Sequence, residues 1–120
     1  MNLPNADGVK IEMEKITDYL LNPLHPDAAG KAAFFSAMGF RVGEWEGLAN
    51  TLRQVAVDGP VVTKVDSLHG TKYVVDGRIT TPIGKTVFVR TVWIVDHGAS
   101  TPRLVTAYPY EEGGRDAERT

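Results

Sequence analysis

The chain contains no cysteine and only three histidines, His25, His69 and His97. The lack of cysteine excludes disulfide bonds, thiolate metal sites and a cysteine nucleophile. The three histidines are far apart and do not form a zinc-binding motif. We therefore expect a protein that uses no metal or other cofactor and that resides in a reducing, cytoplasmic compartment.

Long apolar runs are also absent. None approaches the ~20 residues of a membrane-spanning helix, and the N-terminal stretch MNLPNADGVKIEMEK lacks the cationic start and apolar core of a signal peptide. We expect no membrane association. At 120 residues, 42% of them hydrophobic, the chain is long enough for one domain and too short for two. We place that domain at residues 1–109 and expect residues 110–120 to form a disordered tail, because EEGGRDAERT offers no apolar side chain larger than alanine.

Charge is unevenly distributed along the chain. The formal net charge of −2 argues against a protein that holds nucleic acid through a broad basic surface. Residues 1–60 carry five basic and eight acidic side chains, whereas residues 61–109 carry six basic and three acidic ones. If the protein binds an anion, we expect the binding site in the second half.

The first half shows helical periodicity in three segments. Apolar and charged residues alternate at helical spacing in 11–21, 26–38 and about 42–57. Asn22-Pro23 ends the first of these helices and Gly39 ends the second. The apolar faces are expected to be buried against a sheet, and they include Phe35, Trp45, Leu48 and Leu52.

At Val61 the period changes to that of strands. VVTKVDS, TKYVVDGRIT, TVFVRTVWIV and RLVTAY are rich in β-branched and aromatic residues and are separated by short turn sequences. In TPIG, Pro82 and Gly84 suit the second and fourth positions of a type I turn. We predict an α+β fold in which two or three N-terminal helices pack on one face of a four-stranded antiparallel meander sheet.

Arg90 lies in the middle of the third predicted strand, among mostly apolar neighbours. An unpaired buried guanidinium is very costly, so Arg90 needs a partner. Two interpretations stay open: an acidic side chain from the helical half, or a phosphate or carboxylate group of a substrate. Arg103 raises the same question more weakly, because an arginine that opens a strand is commonly solvated.

His25 stands between two prolines in LNPLHPDAAGKAAFF, six residues before Lys31. The prolines restrict the backbone, so that the imidazole points in a defined direction beside a helix N-terminus. One interpretation is a general base or acid next to a cation. The other is a helix-to-helix corner in which His25 hydrogen-bonds the backbone and Lys31 is solvated.

Several blocks of the sequence carry a resemblance: LPNAD, YLLNPLHPDAAGKAAFFSAMGF, GTKYVVDGRITTPIGK, VRTVWIVD and TPRLVTAYP. Together they resemble a bacterial domain of unknown function that occurs free-standing and at the C-terminal ends of filamentous-haemagglutinin-like, contact-dependent polymorphic toxins. The resemblance extends from Leu3 to Pro109. Helices followed by a four-stranded antiparallel sheet, at the tip of a toxin, look like the superfamily of barnase, colicin-type tRNases and RelE-like ribonucleases, which implies RNA cleavage by analogy.

That analogy implies a metal-independent ribonuclease. In such an enzyme a base takes the 2′-hydroxyl proton, an acid protonates the 5′ leaving oxygen and cations stabilise the charge that develops on the phosphate. The residues that we assign to catalysis are His25, Lys31, Arg90 and Thr91. Those that we assign to substrate binding are Lys72, Tyr73, Arg103, Thr106 and Tyr108.

The alternative function is a non-catalytic module that binds an antitoxin or immunity-type protein partner. In that case His25 and Arg90 are structural. The two functions differ in geometry, because an enzyme requires His25, Arg90 and a further polar group to converge on one concave site. No oligomeric state follows from the sequence.

Overall fold

Three helical segments precede a four-stranded antiparallel sheet in the computed structural model, which describes residues 1–110. This is the predicted α+β architecture. The helices are α1 (Met13–Lys15), which continues directly into a π-helical turn (Ile16–Leu20), α2 (Ala29–Ala37) and α3 (Trp45–Asp58), with 3₁₀ turns at Ala6–Gly8 and Val42–Glu44. The strands are β1 (Val61–Ser67), β2 (Gly70–Thr80), β3 (Thr86–Asp96) and β4 (Arg103–Pro109).

The strands lie side by side in chain order, β1-β2-β3-β4, as an antiparallel meander. The turn between β2 and β3 lies where it was predicted: Gly84 N–H donates to the Thr81 carbonyl oxygen at 2.8 Å, and Gly84 has a positive φ of 85°. This turn pairs Thr80 with Thr86. The register of the whole β2-β3 ladder follows from that pair.

α3 covers one face of the sheet, which we call the inner face. Its buried residues recur at three- and four-residue spacing and are Leu48, Ala49, Leu52, Val55 and Ala56. Gly77 of β2 leaves room for this helix, because a Cβ atom at position 77 would come within 2.9 Å of Val55 Cγ1. The missing side chain therefore lets α3 approach the sheet closely.

Trp93 of β3 lies at the centre of the core and is fully buried. Its Nε1–H donates to Thr91 Oγ1 at 2.7 Å, and the Thr91 hydroxyl donates to the Val75 carbonyl oxygen at 2.8 Å, so that these buried polar atoms are paired. The predicted burial of Phe35, Leu48 and Leu52 is confirmed. Trp45 is only half-buried, which corrects the prediction, because it is the first residue of α3 and packs at the margin of the core.

α2 begins at Ala29, later than predicted. The chain first makes a turn in which Ala28 N–H donates to the His25 carbonyl oxygen at 3.2 Å, and this turn uses the residues that were assigned to the start of the helix. The predicted end of α2 is confirmed. Gly39 has a positive φ of 98°, and its N–H donates to the Ser36 carbonyl oxygen at 3.0 Å as in a Schellman C-cap.

The described chain ends just beyond β4. Tyr110, which the sequence analysis assigned to the tail, is part of the folded domain: its N–H donates to the Phe88 carbonyl oxygen at 3.2 Å, and the two rings are 5.8 Å apart. The rest of the predicted tail, 111–120, lies outside the described residues. Among the helices of residues 1–110, none is long and apolar enough to cross a membrane.

Candidate functional site

Most of the predicted site residues lie on the face of the sheet that points away from the helices, which we call the outer face. Strand alternation defines it. Val75, Thr91 and Trp93 are buried on the inner face, so the residues that alternate with them along β2 and β3 point outward. The principal polar residues of the outer face are Lys72, Asp76, Arg78, Arg90, Asp96, Arg103, Thr106 and Tyr108.

Arg90 is paired with Asp76, its direct neighbour across the β2-β3 ladder. Arg90 Nε lies 2.7 Å from Asp76 Oδ1, and Nη2 lies 2.7 Å from Oδ2, so the guanidinium binds both carboxylate oxygens. The hydrogen bonds to Asp76 raise the pKa of Arg90, against the opposing effect of burial. The predicted acid from the helical half was wrong. The acid comes from strand β2, because the hairpin register places it opposite Arg90.

Arg103 makes a similar pair with Asp96. Arg103 Nε lies 2.7 Å from Asp96 Oδ2 and Nη2 lies 3.0 Å from Oδ1. The hydrogen bonds from Arg103 hold the pKa of Asp96 below its usual value. The two side chains are 43% and 40% exposed, so Arg103 is both ion-paired and accessible to solvent.

A second group of site residues meets at Tyr19, beside β4. Lys31 Nζ donates to the Tyr19 phenol oxygen at 2.8 Å, and the phenol shares a 2.9 Å hydrogen bond with Thr106 Oγ1. The His25 ring contacts the Tyr19 ring edge-on, with centroids 5.0 Å apart. We call these four residues the tyrosine cluster. Three of them were predicted site residues, and Tyr19 connects them.

The π-helical turn positions Tyr19. Leu21 N–H donates to the Ile16 carbonyl oxygen, five residues earlier, at 2.9 Å. Ile16 and Leu20 are fully buried and hold the turn against the core, while Tyr19 is partly exposed and reaches Thr106. The wide turn thus presents a phenol group to the last strand of the sheet.

The pKa of Tyr19 lies below its usual value. Burial raises the pKa, but the hydrogen bonds from Lys31 and Thr106 and the positive charges of Lys31 and Lys15 together lower it by more. Both lysine Nζ atoms are close to the ring, 5.0 Å from its centroid for Lys15 and 5.1 Å for Lys31. This environment favours the ionised phenolate more than water does.

His25 holds the corner between the π-helical turn and α2. Asp27 N–H donates to His25 Nδ1 at 3.0 Å, and His25 N–H donates to the Asn22 carbonyl oxygen at 3.1 Å. Because Nδ1 accepts a hydrogen bond, the neutral ring carries its proton on Nε2 and has no free nitrogen lone pair for a general base. The geometry favours the structural interpretation of His25, and the ring supports Tyr19 from the side.

The tyrosine cluster and Arg90 adjoin each other on the outer face. In the β3-β4 ladder, Thr106 pairs with Val92 and Tyr108 pairs with Arg90. Diagonal neighbours on one face of a sheet are about 7–8 Å apart. Arg90, Tyr108 and Thr106 therefore form one continuous surface, and Tyr19 and Lys31 lie at its end.

Two predicted site residues face the core instead. Thr91 is fully buried, and its hydroxyl is engaged by Val75 and Trp93. Tyr73 is 7% exposed and packs with the hydrophobic core. Both side chains point to the inner face, so we leave them out of the candidate site.

A depression of about 410 Å³ lies on the other side of Tyr19 and His25. Its lining includes the carboxylates of Glu12, Glu14 and Asp18 and one cation, the ammonium group of Lys15. The negative charges outnumber the positive one and oppose the approach of an anion from this side. The outer face, where Arg90 lies, is therefore the more favourable side for a phosphate group.

The sequence analysis missed Tyr19 and Asp76. Tyr19 lies in the first predicted helix, segment 11–21. Lys15, four residues earlier, was a signal that a lysine lies beside the phenol on one helix face. Asp76 was not considered as a partner of Arg90. No group of three or more histidine, aspartate or glutamate side chains that could hold a metal ion is found in the part of the chain that the structure describes.

A protein-family profile matches residues 2–111. The chain belongs to the family described as Domain of unknown function (DUF6883). This agrees with the predicted resemblance to a domain of unknown function. None of the curated proteins compared with the chain matches it.

Among solved structures, this DUF6883 chain is similar to a chain of a complex described as a contact-dependent growth inhibition toxin with its immunity protein, from Klebsiella pneumoniae 342. The TM-score is 0.68 at 15% sequence identity, and the match covers 89% of this chain and 97% of that chain. At this identity the similarity concerns the fold.

Proposed function

We propose that this protein is a metal-independent, ribonuclease-like domain of a toxin system, which binds RNA on the outer face and cleaves it beside the tyrosine cluster. The observation that carries the proposal is the hydrogen-bonded chain from Lys31 through Tyr19 to Thr106, in which the pKa of the phenol is lowered. The similarity in fold to a chain of a toxin-immunity complex supports the assignment to a toxin system.

The outer face provides the groups that bind the substrate. Arg90 uses two of its five N–H donors on Asp76, which leaves three that Asp76 does not occupy. We assign these three donors to the phosphate that is cleaved, while the Thr106 hydroxyl donates its proton to the Tyr19 phenolate. Lys72 and Arg103 lie further along the same face and contact neighbouring phosphates of a single strand.

Tyr19 is the general base in this proposal. Its phenolate, stabilised by the Lys31 ammonium group, takes the proton of the 2′-hydroxyl, and the 2′-oxygen then attacks phosphorus. The bond from phosphorus to the 5′-oxygen breaks. Tyr108, which lies two residues beyond Thr106 on β4, gives its phenol proton to that oxygen. The products are a 2′,3′-cyclic phosphate and a 5′-hydroxyl. Proton exchange with water then returns Tyr19 to the phenolate and Tyr108 to the phenol. Arg90 stabilises the negative charge that develops on the phosphate.

Cleavage of a labelled single-stranded RNA by the purified full chain, in the presence of EDTA, tests this function. Tyr19→Phe keeps the ring and removes the phenol oxygen, so we expect cleavage to fall by about 10²–10⁴-fold, the usual contribution of a general base, with the fold retained. Lys31→Met should lower the rate as well. Lys85→Met, at the exposed tip of the β2-β3 hairpin, is the matched control and should leave the rate unchanged. Wild-type protein without activity, or full activity of Tyr19→Phe, would contradict the proposal.

The acidic depression favours a second candidate, a protein-binding module. Glu12, Glu14 and Asp18 suit a basic segment of a protein partner, and Asp carboxylates already satisfy Arg90 and Arg103. Isothermal titration with an oligolysine peptide distinguishes this function. Binding that Asp18→Lys weakens and Tyr19→Phe leaves unchanged, in a chain that does not cleave RNA, would favour the module.

A further inference from the structure

β1 is an edge strand that exposes apolar side chains. In the described residues, β2 is its only neighbour in the sheet, and outside the β1-β2 ladder its backbone makes one backbone-to-backbone hydrogen bond, from Val61 N–H to the Met1 carbonyl oxygen. Val62 and Val65 are 48% and 51% exposed, and Leu68, just after the strand, is 90% exposed. An unpaired strand edge of this kind is a template for another strand.

We propose that β1 pairs with β1 of a second copy of this chain, in antiparallel orientation, around a two-fold axis at Val65. In that register Val65 faces Val65 of the second copy, Lys64 faces Asp66, Thr63 faces Ser67 and Val62 faces Leu68. Each pair is of a kind that stabilises antiparallel strands: apolar with apolar, hydroxyl with hydroxyl, and positive with negative. From Thr63 to Ser67 the strand is therefore complementary to itself.

The two charged residues make this register specific. Lys64 and Asp66 are both exposed, and neither is in an ion pair within residues 1–110. Asp66 is held in place by Thr71, whose hydroxyl donates to Asp66 Oδ1 at 2.7 Å. If the axis moved by one residue in either direction, Lys64 would face Lys64 or Asp66 would face Asp66. Like charges directly opposite each other destabilise a strand pair, so the axis at Val65 is selected.

The pairing joins two four-stranded sheets into one sheet of eight strands. A two-fold axis perpendicular to the sheet keeps inner face next to inner face and outer face next to outer face. β4 is at the opposite edge of each sheet from β1, so both tyrosine clusters stay accessible. The dimer is therefore compatible with ligand binding on the outer face.

Sedimentation of the full chain over a range of concentrations tests the dimer. The contact is smaller than a standard interface of about 1,600 Å², so we expect reversible dimerisation with a dissociation constant on the order of 10–100 μM. Lys64→Asp and Asp66→Lys each place like charges opposite one another and should weaken the dimer by at least about tenfold. Lys85→Asp, a matched charge reversal at the β2-β3 hairpin tip, should have no effect.

Mixing the two single variants, and combining both changes in one chain, tests the proposed register most directly. A Lys64→Asp chain presents two aspartates and an Asp66→Lys chain presents two lysines, so an equimolar mixture of the two should form a heterodimer. The double variant Lys64→Asp/Asp66→Lys should dimerise as the wild type does. A wild-type chain that stays monomeric at about 1 mM, or a dimer that is unchanged in both single variants, would overturn the proposal. Circular dichroism of each variant checks that it is folded.

Discussion

The two faces of the sheet are made by the same strands and are stabilised in different ways. On the inner face, Val75, Val89 and Trp93 are fully buried under the helices, and the one polar side chain between them, Thr91, has its hydroxyl bonded to the backbone. The outer face holds charges in bidentate pairs, with Val92 half-buried beside them. Ile94, at 4% exposure, is the one apolar residue of β3 that is buried on the outer face. The inner face supplies stability, and the outer face supplies groups that can meet a ligand.

Truncation of one side chain on each face of β3 should show this difference most strongly. Trp93→Ala empties the centre of the core and should lower the free energy of unfolding by about 3–5 kcal/mol. Val92→Ala, at the preceding residue but on the outer face, should lower it by about 1 kcal/mol because its side chain is only half-buried. Urea denaturation of both variants measures the two values. Equal losses would mean that the two faces are not energetically different.

Removal of a charge from the outer face should have an intermediate effect. Asp76→Ala leaves the Arg90 guanidinium, 27% exposed, without its carboxylate and should cost about 1–3 kcal/mol of stability. The double variant Asp76→Ala/Arg90→Ala should cost less than the sum of the two single changes, because each single change leaves one charge unpaired. Asp96→Ala, in the more exposed pair, should cost less than Asp76→Ala. Additive losses at Asp76 and Arg90 would show that the pair is not coupled.

Truncations at the C-terminus should have the smallest effects on stability, and they locate the end of the folded domain. Deletion of residues 111–120 removes no apolar side chain larger than alanine and should change stability by less than about 0.5 kcal/mol. A chain that ends at Pro109 also loses the Tyr110 ring from Phe88 and Arg90, so it should melt at a lower temperature. If the first deletion lowered the melting temperature by several degrees, the domain would extend beyond Tyr110.

Much of the fold could be predicted from local patterns. The change of period at Val61, the turn signal in TPIG and the glycine after α2 depend on neighbours in sequence, and all three agree with the structure. The pair of Asp76 with Arg90 was also within reach. If Thr80 is paired with Thr86 and the two strands are followed residue by residue away from the turn, Asp76 lies opposite Arg90. The prediction from local patterns placed the acid in the helical half, because it did not include this register.

The tyrosine cluster could not be predicted in the same way. Thr106 faces outward because the register of β4 against β3 shifts between Val92 and Trp93, and nothing in the sequence marks that irregularity. The contact of Tyr19 with Thr106 joins residues 87 positions apart and depends on a π-helical turn, whereas the apolar stripe indicated an ordinary helix. Long-range contacts of this kind follow from packing and not from local propensity.

The pH dependence of RNA cleavage by the full chain, under single-turnover conditions in EDTA, tests the proposed site most directly. Tyr19 has to be ionised to accept the 2′-hydroxyl proton, so on the acid side of the profile the rate should rise with pH. The inflection of this rise lies at the pKa of Tyr19, which is below the usual value of 10.0. Lys31→Met removes a hydrogen bond and a charge that lower this pKa and should move the inflection to higher pH, and Lys15→Met, which removes a charge alone, should move it less. A wild-type profile that Lys31→Met leaves unshifted, or the absence of cleavage at any pH, would contradict the assignment of Tyr19 as the base.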